Sequence, residues 1–130
     1  MANTPAYAAT INVGTGITPA TLDTSLTAPG NVTVVFTAGA SGSRVEEITF
    51  QGLLTTVAGV VNLFLVRAGV YNLIDQFLVT AVTSSTTAVA NRTSRQYSNL
   101  ILKSGDTLAV STTIAGNQSG HKVTCFGSDL

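Results

Sequence analysis

The stretch TVAGVVNLFLVRAGVYNLIDQFLVTAV, residues 56–82, decides what kind of fold this chain adopts. The stretch is strongly apolar, but a membrane-spanning helix needs about 20 predominantly apolar residues in a row. Polar or charged side chains divide the run into much shorter pieces. We therefore expect no membrane segment here, and the apolar side chains must be buried in a core or against another protein. The dividing residues are Asn62, Arg67, Asn72, Asp75 and Gln76.

Within this stretch, the sequence on either side of Arg67-Ala68-Gly69 is rich in Val, Leu, Phe and Tyr. Two such segments separated by a short break are typical of two strands joined by a tight turn. Glycine adopts a positive φ at little cost, so Gly69 suits that turn. We predict a β-hairpin with strands over 60–66 and 70–79.

Alternation along the two predicted strands leaves apolar side chains on both faces of the hairpin. An antiparallel sheet that faces water on one side carries polar residues on that side. We therefore expect the second face to be covered, either by the N-terminal segment or by a neighbouring subunit. On the first strand Leu63 and Leu65 lie opposite Phe64 and Val66, and on the second Ile74 and Leu78 lie opposite Leu73, Phe77 and Val79.

Beyond residue 30 the apolar residues recur with a period of two, as in NVTVVFT from Asn31, rather than with the helical period of about 3.6. Clusters of Gly, Ser, Asn and Asp separate the segments and mark turns. Short strands with such turns predict an all-β antiparallel sandwich or jelly-roll-like domain. The predicted strands cover 8–13, 31–37, 44–51, 60–66, 70–79, 87–93, 99–102, 107–114 and 121–127.

The first 29 residues differ from the rest because they hold all three prolines. Proline cannot join the middle of a sheet. A disordered tail is normally charged, whereas Asp23 is the only charged residue before Arg44. We predict an extended N-terminal arm over 1–29 and a β-sandwich domain over 30–130. The segment AATINV is expected to add as a strand to a sheet edge on another chain.

The charge content of the chain is low, at 9% of residues, and its formal net charge is zero. An ordinary soluble domain has about 25% charged residues, and a nucleic-acid-binding protein carries a basic patch. We therefore expect no nucleic-acid partner, and a surface with so few charges favours association between protein chains. Arg92 and Arg95, with Tyr97 nearby, form the densest basic feature, which we interpret as a source of interface hydrogen bonds.

The residues that could carry chemistry do not form a recognisable site. His121 follows a Ser-Gly turn, and without a nucleophile turn for a Ser-His-Asp triad we expect it in a solvated loop. Cys125 alternates with Val123, which predicts a small, buried, free thiol. A zinc site needs about three or four ligands, and the chain has one histidine and one cysteine. We expect no catalytic residue, no metal and no cofactor.

Three segments carry a resemblance to a known group of proteins: VNLFLVRAGVYNLIDQ, NLILKSGDTLAVST and the final KVTCFGSDL. In this order, with a Thr/Ser-rich link after the first, they resemble small all-β virion proteins of tailed bacteriophages that decorate or cement the capsid. The resemblance covers about 45–130 and rests on strand order, turn chemistry and composition. It implies a jelly-roll-like or tulip-like fold, a homotrimer, the capsid surface as location, and the major capsid protein lattice as partner.

We therefore expect a non-enzymatic virion structural protein that acts through oligomeric protein contacts. The first residues lack the basic and apolar regions of a secretory signal, which predicts assembly in the host cytoplasm. Two alternatives stay open: a head-fibre base or tail-associated adhesion module that binds carbohydrate, and a small hydrolase. The residues predicted at the interface are Phe64, Val66, Ile74, Leu78, Arg92, Arg95 and Tyr97.

Overall fold

The computed structural model describes residues 10–53, 55–114 and 120–130. In these residues the chain forms strands and no helix, which confirms the prediction of an all-β protein. The strands are β1 (Thr10–Ile17), β2 (Thr33–Thr37), β3 (Ser43–Gly52), β4 (Gly59–Arg67), β5 (Val70–Val79), β6 (Arg92–Leu102), β7 (Thr107–Thr112) and β8 (His121–Asp129).

The strands form two four-stranded sheets that pack face to face. The first sheet has the order β1-β8-β3-β6 and the second has the order β2-β7-β4-β5. Neighbouring strands are antiparallel throughout. Every connection except the β4–β5 hairpin crosses from one sheet to the other. Eight strands connected in this way form a jelly roll, so the predicted sandwich is confirmed.

The core lies between the two sheets and is built from alternating residues. On β3, Val45, Ile48 and Phe50 all face inward and are buried. Val45 and Ile48 share this face although they are three positions apart, because a bulge shifts the register between Val45 and Glu47. Phe50 packs on Phe77 of the second sheet, with 3.8 Å between the ring centroids. Side chains from both sheets therefore form one continuous core.

The predicted β4–β5 hairpin is confirmed, with Ala68 and Gly69 as its two turn residues. Both have positive φ, 51° for Ala68 and 76° for Gly69. A two-residue turn with two positive φ angles matches the right-handed twist of the flanking strands. The sequence predicted this conformation for Gly69 alone. Ala68 adopts it as well, at the cost that a Cβ imposes in the left-handed region.

A bulge on β5 changes which residues face the core. The register shifts so that Leu63 pairs with Asp75 and Phe64 pairs with Leu73, which leaves Ile74 without a partner on β4. Leu73 therefore shares the outer face with Phe64, and the prediction that Leu73 shares a face with Phe77 and Val79 is wrong. The same shift turns Asp75 toward the interior.

Part of the predicted N-terminal arm belongs to the sandwich. β1 pairs with β8 of the same chain along its whole length. Its inner face packs so closely on β2 that a Cβ on Gly14 would lie 2.0 Å from the carbonyl oxygen of Val35. No proline falls within β1, so nothing prevents this pairing. The boundary predicted at residue 30 therefore does not describe these residues. One edge of TINV pairs within its own chain, and its other edge is an edge of the sheet, so the predicted pairing with another chain stays a prediction. The part of AATINV before Thr10 lies outside the described residues.

The two short strands predicted at 87–93 and 99–102 are a single strand, β6. Its register with β3 jumps from Leu100 to Gln96, opposite the bulge at Glu46. Regular alternation is lost there, which explains why the sequence pattern divided the strand.

The connections differ strongly between the two ends of the sandwich. The register places Gly52 beside His121, and Ile17 beside Lys122, at one end of the first sheet. Long connections follow or precede these residues, and we call this the long-loop end. The opposite end, where the connections are short, is the short-turn end. Among the described residues, the long-loop end comprises 18–32, 53, 55–58, 80–91, 113–114 and 120, and the short-turn end comprises 38–42, 68–69 and 103–106.

The positive φ of Ala68 leads to a prediction about stability. Asparagine tolerates the left-handed region better than alanine, and Asn-Gly is favoured in this turn. Ala68→Asn should therefore raise the melting temperature by a few degrees. Gly69→Ala is the matched opposite change. Its new Cβ would meet open space, so a lower melting temperature would come from the backbone conformation. Thermal melts test both variants, and equal melting temperatures would contradict the assignment of strain to this turn.

Candidate interaction surfaces

Phe64, a predicted interface residue, is covered by its own chain. It lies on the outer face of the second sheet and is 0% exposed. Its ring meets that of Tyr71 edge to face, with centroids 6.0 Å apart. Val66 pairs with Tyr71 in the hairpin and is partly exposed. The expectation that this face is covered is therefore correct for Phe64, but the cover does not require a second subunit.

Arg95 and Tyr97 are held by a carboxylate from the other sheet. Arg95 Nη1 donates to Asp75 Oδ1 at 2.6 Å, and the Tyr97 hydroxyl donates to Asp75 Oδ2 at 2.7 Å. The Arg95 guanidinium also lies 4.9 Å from the ring centroid of Phe77. Burial, together with the hydrogen bond to Asp75, raises the pKa of Tyr97, so its hydroxyl stays protonated. These contacts join the edges of β5 and β6 within the fold.

Three predicted interface residues stay available to a neighbour. Leu78 is 72% exposed near the end of β5, and Ile74, the bulged residue, is also exposed. Arg92 begins β6 and is exposed. Arg95 is exposed as well, but its guanidinium is already paired with Asp75, whereas Phe64 is buried and Tyr97 is partly buried.

The long-loop end is the surface that the sequence did not indicate. Its connections contain one charged residue, Asp23. That carboxylate accepts hydrogen bonds from the backbone N–H groups of Ser25, Asn31 and Gly30, at 2.9, 3.0 and 2.7 Å. These bonds lower the pKa of Asp23. Its carboxylate charge is therefore satisfied by backbone groups of its own loop. The exposed apolar side chains of this end are Leu22, Leu26, Leu53, Val57 and Val89.

An open cleft of about 620 Å³ lies at the same end. Gln51, Leu53 and Arg92 line it together with residues 84–90. Hydroxyl groups from 84–87 supply much of its polar wall, and Val89 is 89% exposed. No aromatic residue is among those that line the cleft in the described part of the chain. The cleft could receive either a protein side chain or a small polar ligand.

His121 is buried, so the prediction of a solvated loop histidine is wrong. Its ring Nε2 lies 3.2 Å from Asn91 Nδ2, and its backbone N–H donates to Thr18 Oγ1 at 3.1 Å. Both neighbours come from connections that are remote in the sequence. The Ser-Gly turn before His121 therefore gave no sign of this burial.

Cys125 is a buried free thiol, as predicted. Burial raises its pKa to about 12, which keeps the thiol protonated at neutral pH. Within residues 10–53, 55–114 and 120–130, no three His, Cys, Asp or Glu side chains lie close enough together to hold a metal ion. In the same residues no helix has the length and apolar character required to cross a membrane.

At the short-turn end, two carboxylates are used in structural contacts. Asp106 accepts hydrogen bonds from Arg67 Nε at 3.0 Å and Arg67 Nη2 at 2.6 Å. The bonds from Arg67 lower the pKa of Asp106. Asp129 accepts from Ser43 Oγ at 2.6 Å and from Asn12 Nδ2 at 2.8 Å, and these bonds lower its pKa. The charges at this end therefore tie strands and turns together.

Comparison with known proteins adds little to this description. No protein-family model and no curated protein matches the sequence. A solved structure, described as that of infectious bursal disease virus Gx strain, has 13% sequence identity and a TM-score of 0.31 to this chain. The similarity covers 98% of this chain and 34% of that chain, so the present chain spans about a third of its length.

Because Phe64 is buried within its own chain, its replacement should destabilise the fold itself and not only weaken an interface. Phe64→Ala should lower the free energy of unfolding by about 3–5 kcal/mol, because it empties a buried site. Leu78→Ala, on an exposed site of the same hairpin, should change it by about 0.5 kcal/mol or less. Urea unfolding of both variants provides the measurement. Equal effects would show that Phe64 is not packed as described.

The lowered pKa values of Asp23, Asp106 and Asp129 predict acid sensitivity. A carboxyl group whose pKa is lower in the folded state stabilises the fold above its unfolded pKa, and this stabilisation is lost as the pH falls through the folded pKa. Stability should therefore decrease below about pH 4. Asp106→Asn should melt at a lower temperature at pH 7 and show a shallower loss on acidification. Thermal melts from pH 7 to pH 2 test this, with the exposed Glu46→Gln as control. An unchanged pH dependence in Asp106→Asn would refute the assignment.

Proposed function

We propose that this chain is a non-enzymatic structural protein of a virus particle that decorates or cements a bacteriophage capsid at its surface. Its partners in this proposal are copies of itself, as the trimer that the resemblance implies, and the major capsid protein lattice. Nucleic acid and membranes have no part in it. The jelly-roll fold is compatible with this role, but this fold also occurs in lectins and enzymes, so the argument depends on the surfaces.

The observation that carries the proposal is the composition of the long-loop end. The connections of this end carry several exposed Leu and Val side chains, and the charge of Asp23 is used within its own loop. Exposed apolar groups bordered by polar residues mark sites of protein interaction, and charged residues are depleted at the centres of protein interfaces. Binding at this end would bury apolar area without stripping water from unpaired charges. The long-loop end therefore suits attachment to an uncharged protein surface.

Exposed residues on β5 and β6 provide a surface for contact with a second copy. Leu78 and Ile74 are exposed apolar residues on an edge strand, and Arg92 lies on the neighbouring edge strand β6. A closed ring of identical subunits requires that each subunit present a contact surface to its neighbours. These residues supply one such surface at a distance from the charged contacts of the short-turn end.

The cleft at the long-loop end favours a second candidate, an adhesion module at a head-fibre base or on the tail. The hydroxyl groups of 84–87, together with Gln51 and Arg92, provide the donors and acceptors that a sugar requires. Carbohydrate sites also favour an exposed aromatic ring, and none is among the residues that line this cleft. We rank this function second for that reason. A small hydrolase is the third, since it would need to act through a histidine that is buried in the fold.

A pair of matched variants tests attachment to the capsid. Val89→Asp places a charge on the most exposed apolar residue of the long-loop end, and Val70→Asp makes the same change at an exposed position of the short-turn end. Val89→Asp should weaken co-sedimentation with empty capsids, assembled from the major capsid protein of the same genome, by about ten-fold. Val70→Asp should bind as the unmodified protein does. Circular dichroism confirms that both variants are folded.

The possible outcomes separate the candidates. If the unmodified protein fails to co-sediment with capsids, the decoration function is wrong. If both variants bind equally well, attachment does not use the long-loop end. Specific binding to a glycan array without binding to capsids would favour the adhesion module.

A further inference from the structure

We infer that β1 pairs with itself: β1 of one copy adds antiparallel to β1 of a second copy and joins their two first sheets into one continuous sheet. This inference deepens the proposed self-association by naming a strand that mediates it. The contact has two-fold symmetry and lies on the opposite side of the sandwich from the β5 contact. The β1 contact is therefore compatible with the proposed trimer, in which subunits meet through the β5 contact.

Three of the four sheet edges are protected against such pairing. Natural proteins protect edges with short strands, bulges and inward-pointing charges, because an open edge presents unpaired N–H and C=O groups. β2 has only five residues and a register shift between Val34 and Phe36. β5 has the bulge at Ile74 and turns Asp75 inward. β6 carries Arg95, which binds that carboxylate, and has its own register shift.

β1 has none of these protections. It extends over eight residues, TINVGTGI, without a charge or a proline. Its pairing with β8 continues without a shift from Thr10, opposite Asp129, to Ile17, opposite Lys122. Among the described residues, no backbone hydrogen bond outside the β8 ladder reaches β1. A long, regular and uncharged edge of this kind is a template for another strand.

The outer face of β1 is apolar as well. Ile11 is 83% exposed, and Val13 and Ile17 are also exposed on the same face. Phe126 of β8 lies directly beside Val13 and is exposed too. The outer face of an antiparallel sheet in water is normally polar. Contact with a neighbouring chain would therefore bury apolar area that is otherwise exposed to water.

The inner face of β1 is already occupied. Asn12 Nδ2 donates to the carbonyl oxygen of Thr37 at 3.1 Å, and Gly14 lies against the backbone of Val35. A partner must therefore approach along the open edge, where backbone hydrogen bonding selects an extended strand. A second β1 meets this requirement and brings no charge that would repel the first.

The side chains of β1 are complementary to themselves in one antiparallel register. A slip by one residue would turn the apolar face of one copy against the inner face of the other. A slip by two, centred on Val13 or on Thr15, would place Ile17 or Ile11 opposite a position outside β1. The register centred on Gly14 gives every apolar residue of β1 a partner on the same face within the strand, and it places the larger Asn12 opposite a glycine. It pairs Ile11 with Ile17, Val13 with Thr15, Asn12 with Gly16, and Gly14 with Gly14 of the second copy.

Sedimentation equilibrium of the full chain tests the contact. Val13→Lys should halve the mass of the assembly, because it places two like charges at the shared edge. Ile101→Lys is the control, since Ile101 is 57% exposed on the opposite edge strand of the same sheet, and it should leave the mass unchanged. Circular dichroism verifies the fold of both variants. An unmodified protein that sediments at 13.3 kDa, or a Val13→Lys variant with unchanged mass, would overturn the inference.

Cysteine cross-linking tests the register. Val13→Cys combined with Thr15→Cys should give a covalent dimer on mild oxidation, because the register brings position 13 of each copy beside position 15 of the other. Ile17→Cys alone should not cross-link, since the two copies of position 17 lie far apart. Equal cross-linking in both variants would overturn the register. Neither assay requires capsids, so a failure of the decoration function would leave both results interpretable.

Discussion

The single layer of apolar side chains between the two sheets is the constraint on which this structure depends. Phe50 and Phe77 meet in that layer, with 3.8 Å between their centroids. Because side chains alternate along a strand, a slip by one residue would send a whole set of core residues into water. The bulges at Glu46 and Ile74 occur where strict alternation would place the wrong residues inside. Strand register, edge chemistry and the surfaces left outside all follow from filling this layer.

Features set by neighbours in the sequence could be predicted, and features set by distant neighbours could not. The hairpin at Gly69 and the buried Cys125 depend on local turn chemistry and alternation, and both predictions are confirmed. His121 is buried, and its ring contacts Asn91, which lies in a connection far away in the sequence. The pairing of β1 with β8 joins opposite parts of the chain, and its lack of charge and its flanking prolines made it resemble a free arm. Propensity carries no information about such long-range pairing.

The candidate surfaces follow the same division. The sequence indicated that an apolar hairpin with few charges needs cover, which is correct, but Phe64 obtains that cover from its own chain. The long-loop end could not be identified in advance because its exposed residues come from connections far apart in the sequence. Several of the few charged residues are also committed within the fold, as in the pairs of Arg67 with Asp106 and Arg95 with Asp75. A neutral surface is therefore a consequence of where the charges are used as well as of how few there are.

The direct pairing of Thr10 with Asp129 gives the domain a polarity. Both ends of the described sandwich leave from the short-turn end, side by side, while the long loops project from the other. A tag, a fluorescent protein or a displayed antigen attached at either end would point away from the loops and leave that surface unobstructed. The same proximity would allow Thr10 and Asp129 to be joined by a short linker and the chain to be reopened within a loop. The molecule thus has one end suited to tethering and another suited to contact.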